Sequence, residues 1–156
     1  MFKVNKMTDY ATVVLIAIAR SAEVRSSHWL AAQTGIPLPT VAKLMKNLSR
    51  AGLVASHRGV SGGYALGRPA AEISVADVIQ AVEGPIALTA CADTSDEQCS
   101  IQTLCPVQGK WNRVNTAVRS ALAEVTLADM AAEVASFGIE KFKPVPAPIA
   151  PATGVV

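Results

Sequence analysis

Residues 53–66, LVASHRGVSGGYAL, limit the fold of this 156-residue chain more than any other stretch. Two short apolar ends, strand-like in composition, flank RGVSGG, whose glycines allow a tight reversal and a close backbone approach to a ligand. The pattern predicts a β-hairpin. With Arg58 at the tip and no bulky side chain beside it, the loop residues Arg58, Gly59, Ser61 and Gly62 suit a minor groove, where a cation meets concentrated negative potential.

What precedes the hairpin decides what it belongs to. Residues 8–21 carry Ala11, Val14, Leu15 and Ile18 at helical spacing, with Thr8 or Asp9 placed at the start and Asp9 as the simplest cap. Ser27 can cap a short second helix, HWLAAQT, that stops at Gly35. A third follows almost at once: in LPTVAKLMKNLSRAG, Val41, Leu44, Met45 and Leu48 mark a core face, and Thr40, Lys43, Asn47 and Arg50 line another. Periodicity alone fits an ordinary helical hairpin with solvated lysines as well as it fits a helix-turn-helix. The strand pair breaks the tie, because helix, turn, helix, hairpin in that order reads as a winged helix.

Double-stranded DNA is then the leading partner. Thr40, Lys43 and Asn47 are placed for base edges or phosphates, Lys46 and Arg50 for phosphates, and Arg58 for the minor groove. Charge agrees: residues 1–68 hold nine basic side chains against two acidic ones, whereas residues 69–156 hold five against ten. An ordinary solvated surface is the plainer reading of that division.

Beyond the hairpin, Ser74 and Asp77 form a capping-box pair for VADVIQAVEG, whose Val78, Ile79 and Val82 are expected to pack on the winged-helix core. From about Val107 to Val125, Trp111, Val114, Val118, Ala121 or Leu122, and Val125 repeat every three or four residues. So long a stripe, with no other large element to cover it, predicts pairing with its copy in a second chain. Thr126 and Asp129 begin another short helix, and the prolines of KPVPAPIAPATGVV exclude one from the tail. The expected division is a winged helix-turn-helix over 1–84, a cysteine loop over 85–106, a dimerisation helix with its short follower over 107–136, and a disordered tail over 137–156.

Cys91, Cys99 and Cys105 are the three cysteines of the chain and share one polar loop, with gaps of seven and five residues. An odd number does not make a disulfide framework, and the close cysteine pair usual in zinc sites is absent. Wide gaps suit a larger inorganic core such as an iron-sulfur cluster, whose irons each take a thiolate. Three unrelated thiols are the plainer alternative. No apolar run approaches the ~20 residues of a membrane span, and MFKVNKMTDY lacks the apolar core of a signal peptide. The cytoplasm, where thiols stay reduced, is the expected compartment.

Taken together, these residues resemble a known family. The order Thr8-Asp9-Tyr10-Ala11, Gly35-Ile36, AGLVASHRGVSGGYALGRPAAEISVADVIQAVEG, three cysteines and a long helix is similar to the bacterial winged-helix iron-sulfur regulators of the IscR and NsrR type, over roughly residues 1–135. Within that family CPVQGKWNRVNTAVRSALAEVTLADM looks most like the regulators of SUF iron-sulfur assembly genes. The resemblance implies a mainly α fold with a small β-hairpin wing and a homodimer, paired through the 107–125 helix, on a pseudo-palindromic operator. It also implies a repressor of iron-sulfur assembly or iron homeostasis genes whose affinity depends on a 2Fe-2S or 4Fe-4S cluster held by Cys91, Cys99 and Cys105. IscR-type members place a histidine ligand three residues after the last cysteine, where this chain has Gln108, a poor iron ligand. NsrR-type members use an acidic residue near the start of the first helix, reaching across the dimer; Asp9 matches it and is the candidate fourth ligand. His28 and His57 are weaker candidates, for which solvation or phosphate contact is the simpler use.

Three other readings stay open. The chain could be a nitric oxide or redox sensor of the same family, a cluster-free member sensing a metabolite or partner, or a zinc or thiol-redox interaction module. An enzyme is the least expected class: there is no glycine-rich phosphate loop before a helix, no nucleophile elbow and no H-E-x-x-H.

Overall fold

A computed structural model describes residues 3–21, 23–59, 61–90, 92, 105–107 and 109–136. The expectations for Cys91, Cys99, Gln108 and the tail fall outside the described residues. In chain order the elements are α1 (Lys6–Ala19), α2 (Ser27–Thr34), α3 (Leu38–Arg50), β1 (Val54–His57), β2 (Gly63–Leu66), a 3-10 turn (Ala70–Glu72), α4 (Val75–Glu83), α5 (Lys110–Glu124) and α6 (Leu127–Ser136). The architecture is mainly helical with one two-stranded antiparallel hairpin.

Helix α1 begins before the signals read at Thr8 and Asp9. Asn5 is its cap, accepting from the Met7 N–H at 2.9 Å, so Asp9 does not cap the helix and lies exposed in its first turn. Thr8 is buried instead, its hydroxyl donating to the Glu83 carboxylate. Helix α2 is capped by Ser26 rather than Ser27, through the Trp29 N–H at 3.2 Å, and it ends as expected at Gly35, whose φ is 71°. Helix α3 has no side-chain cap. Pro37 precedes it and Pro39 sits in its first turn, where a missing N–H leaves no helical bond unmade.

The apolar faces meet in one core. Val14, Leu15, Leu30, Val41, Leu44, Met45 and Leu48 are all fully buried, and Leu53, Ile73 and Val78 join them. Helix α4 serves two layers. Val78 enters the main core and Val82 packs at its edge, but Ile79 is a correction: it joins Ala76 and Ile86 in a second cluster, against which Leu122 of α5 packs. Positions 78 and 82 share one stripe of a helix, and 76 and 79 another, which is why one residue step changes layer.

Helix α6 returns to the main core. Its first residue, Leu127, is 1% exposed, and its N–H donates to the Ile73 carbonyl at 2.7 Å. The Val75 N–H donates to Val125 at 2.9 Å, so the starts of α4 and α6 lie side by side. Each carries the expected capping pair. Asp129 accepts from the Thr126 hydroxyl and then from the Thr126 N–H, which hold its carboxyl below the ordinary range. Among the described residues no helix is long and apolar enough to cross a membrane.

Candidate nucleic-acid interface and cysteine loop

The hairpin pairs Val54 with Leu66, Ala55 with Ala65, Ser56 with Tyr64 and His57 with Gly63. That register puts Arg58 and its loop at the tip. The loop closes through the Gly62 N–H donating to Gly59 at 3.0 Å, with Gly59 at φ 112°, a value that only glycine adopts easily.

The hairpin is fastened at its base. Arg25 and Tyr64 exchange both backbone hydrogen bonds, at 3.0 and 2.8 Å, adding one bridge to the edge of β2. Gly63 permits this approach, because a Cβ there would stand 2.5 Å from the Arg25 carbonyl oxygen. The Arg25 guanidinium lies 4.6 Å from the Trp29 ring centroid, donates to the Ser21 hydroxyl at 2.6 Å and pairs with Glu23 at 3.2 Å. The next residue, Ser26, caps α2. One short segment therefore ties the wing to the helix-turn-helix, a link not anticipated from the sequence; the bare Gly62-Gly63 pair was its available signal.

On the outer face of α3, Lys43, Lys46 and Arg50 are exposed, while Thr40 and Asn47 are half-buried. Arg58, Gly59 and Ser61 are exposed at the wing tip and Gly62 is half-buried. Among the described residues none of the four cations Lys43, Lys46, Arg50 and Arg58 has an ion-pair partner. The face therefore keeps its charge for a ligand in solution.

Of the proposed cluster ligands, Cys105 and Asp9 are described. Cys105 is half-buried with a free thiol, and the Asp9 carboxylate is exposed with no partner among the described residues. Among the described residues no three metal-ligating side chains converge. The chain leading to the cysteines is gripped from α5. Asn115, 3% exposed, donates from its amide to the Ile86 carbonyl at 3.1 Å and accepts from the Leu88 N–H at 3.1 Å. At the end of α4, Glu83 accepts from the Asn5 N–H at 3.2 Å and from Thr8, joining the cysteine approach to the start of α1. Neither role was read from the sequence. A polar residue at a buried position of an amphipathic helix was the signal for Asn115; Glu83 gave none.

Helix α5 starts at Lys110, after Gly109, rather than near Val107. Val107, Trp111, Val114 and Val125 are 40–45% exposed. Ala121 is exposed with them, whereas Leu122 packs on the Ile79 cluster.

Known proteins are similar to this chain in sequence and fold. A family model described as Rrf2, iron-dependent transcriptional regulator, matches residues 4–133. A Mycobacterium tuberculosis protein assigned as an HTH-type transcriptional regulator is 37% identical over 131 residues, covering 83% of this chain and 81% of its own. CymR, the global cysteine regulator of B. subtilis, superposes with a TM-score of 0.65 at 30% identity, over 85% of this chain and 98% of that one. IscR of T. potens gives 0.64 at 27% identity, over 88% and 91%.

Proposed function

The chain belongs to the Rrf2 family of transcriptional regulators, DNA-binding proteins and not enzymes, and from that premise we propose a homodimeric, cytoplasmic repressor of iron-sulfur assembly or iron homeostasis genes, controlled by an iron-sulfur cluster. One observation carries the DNA geometry: Lys43, Lys46 and Arg50, without an ion-pair partner among the described residues, stand on α3 beside a wing locked to the same unit. Helix α3 lies in the major groove, with Thr40, Lys43 and Asn47 toward base edges and Lys46 and Arg50 on phosphates. Arg58 enters the flanking minor groove, where Gly59, Ser61 and Gly62 leave room for the backbone to approach. The exposed stripe of α5 pairs with its copy, completing the winged-helix, cysteine-loop and dimer-helix division read above.

Cys91, Cys99 and Cys105 hold the cluster and Asp9 supplies a fourth ligand across the dimer. Three thiolates and a carboxylate are a donor set that iron accepts, and the Cys105 thiol and the Asp9 carboxylate, which has no partner among the described residues, are compatible with it. When bound, the cluster supplies an iron- and redox-dependent cross-link of the loop. Asn115 and Glu83 fix the approach to that loop on α5 and α1, so a change in the loop bears on both the dimer helix and the reading unit. The motif after Cys105 supports SUF genes as the targets. The likeness to a global cysteine regulator favours a second reading, a cluster-free protein answering a thiol-related signal.

Anaerobic purification with iron and sulfide counts, followed by operator binding before and after cluster removal, separates the two. Iron, labile sulfide and an affinity change of about 5- to 150-fold, the usual allosteric range, are expected. The same change should follow replacement of all three cysteines by alanine. A metal-free protein of undiminished operator affinity overturns the cluster reading.

A further inference from the structure

A cleft of about 640 Å³ opens between the wing, the start of α2 and the first turns of α3. His28 and His57, the two histidines of the chain, both line it and both are exposed, with Arg58 beside them. Among the described residues no carboxylate lines it. Helix α3 contributes Leu38 and Ala42, which carry no charge, and β2 contributes Tyr64. Next to Ser26 in the chain, the guanidinium of Arg25 is engaged by Ser21, Glu23 and Trp29, and the Glu23 side chain is 73% exposed. Ser27 and His28 also occupy the first turn of α2, whose leading N–H groups have no acceptor within the helix.

These groups ask for an anionic oxygen ligand. If α3 lies in a major groove and the wing in the adjacent minor groove, the sugar-phosphate strand dividing the two grooves must pass between them, and this cleft is what lies between them. We propose that His28 and His57 form a phosphodiester seat for the operator backbone, so that binding takes up protons and strengthens as pH falls. The inference rests on the placement of α3 and the wing given above. Imidazole is the side chain that ordinarily gains its proton between pH 8 and pH 5, and only the protonated ring brings charge to a phosphate.

The test is operator affinity by fluorescence anisotropy, using the full chain purified anaerobically, at constant ionic strength on either side of the imidazole titration, at about pH 8 and about pH 6. The absorption spectrum at each pH reports whether the cluster content is constant. The wild-type protein should gain several-fold in affinity at the lower pH. Its log-affinity against log-salt slope should steepen by about 0.9 for each ring that meets a phosphate. The double variant His28→Gln, His57→Gln should lose both effects; its substitutions are exposed and leave the core intact, and lysine at both positions should restore affinity without the pH dependence.

If the glutamine variant keeps the pH dependence while Lys43→Ala and Arg58→Ala weaken binding, the seat is overturned and the operator reading stands. If Lys43→Ala and Arg58→Ala leave affinity untouched, the placement of α3 and the wing is overturned and the seat falls with it.

Discussion

Replacing Asn115 should loosen the join between α5 and the chain that leads to the cysteines. Its side chain is 3% exposed and holds the Ile86 carbonyl and the Leu88 N–H, each at 3.1 Å. The bond to Ile86 is buried, and removing one partner of a buried pair costs about 1–3 kcal/mol. The bond to Leu88 is part-buried, and water recovers some of it, leaving about 0.5–1.5 kcal/mol. Asn115→Ala should therefore lose about 1.5–4.5 kcal/mol, or roughly 3–18 °C in melting temperature for a chain of this size. Asn115→Asp makes a sharper test. It keeps the acceptor for Leu88 but turns a carboxylate toward the Ile86 carbonyl, which burial and the carbonyl both penalise. A carboxyl raised in this way destabilises the fold when ionised, so the aspartate variant should be the worst at neutral pH and recover as acid protonates it into a donor. Urea denaturation at fixed protomer concentration, followed by circular dichroism across pH, measures all three proteins. An alanine variant within about 0.5 kcal/mol of wild type, the ordinary spread of surface substitutions, would show that Asn115 is not a clamp.

Gly63→Ala should force Arg25 and Tyr64 apart, costing about 1–3 kcal/mol as overpacking does, with faster amide exchange at both residues; unchanged exchange means the strand absorbs the methyl. Asp129 is held below the ordinary carboxylate range by Thr126, so its stabilisation of α6 is present above the unfolded-state pKa and is lost as pH falls through the lower folded value. Amide shifts of Leu127 and Met130 should therefore report fraying of α6 in acid, and Thr126→Ala should fray at neutral pH as well; an acid response identical in both proteins refutes the cap. Trp111→Glu with Val114→Glu puts charge into the exposed stripe of α5 and should yield monomers by light scattering, whereas a retained dimer places the interface elsewhere.

What the sequence made legible was local. The 3.6-residue spacing of Val41, Leu44, Met45 and Leu48 located the buried face of α3, and the glycines between 58 and 63 located the reversal. Both signals lie within one element, where side-chain direction follows from backbone geometry. Caps were less secure, because neighbouring residues compete to be the acceptor. Ser26 and Ser27 carry the same hydroxyl, and Asn5 stands three residues before Thr8, so the choice depends on where tertiary packing starts the helix. The pairing of Arg25 with Tyr64, the turn of Ile79 away from the main core and the grip of Asn115 on Ile86 were not legible. Each joins positions distant in sequence or depends on which neighbour covers a face.

Those distant joins set how a signal from the cysteines could travel. Glu83 reaches back to Asn5 and Thr8, Asn115 holds the chain from Ile86 to Leu88, and both meet the segment that leads to Cys91. Each join is of the same order as a typical allosteric coupling, about 1–3 kcal/mol, so one of them is strong enough to pass the loop's state onward and weak enough to be changed by it. The two routes differ in destination. Asn115 leads to α5, the proposed dimer helix, and Thr8 to α1, the first helix of the proposed reading unit, so Asn115→Ala and Thr8→Val should separate them. If the dimer helix carries the signal, Asn115→Ala draws the ratio of cluster-loaded to cluster-free operator affinity toward one, and Thr8→Val preserves it. The reverse pattern assigns the signal to α1, and a ratio unchanged in both variants rules out transmission through either join.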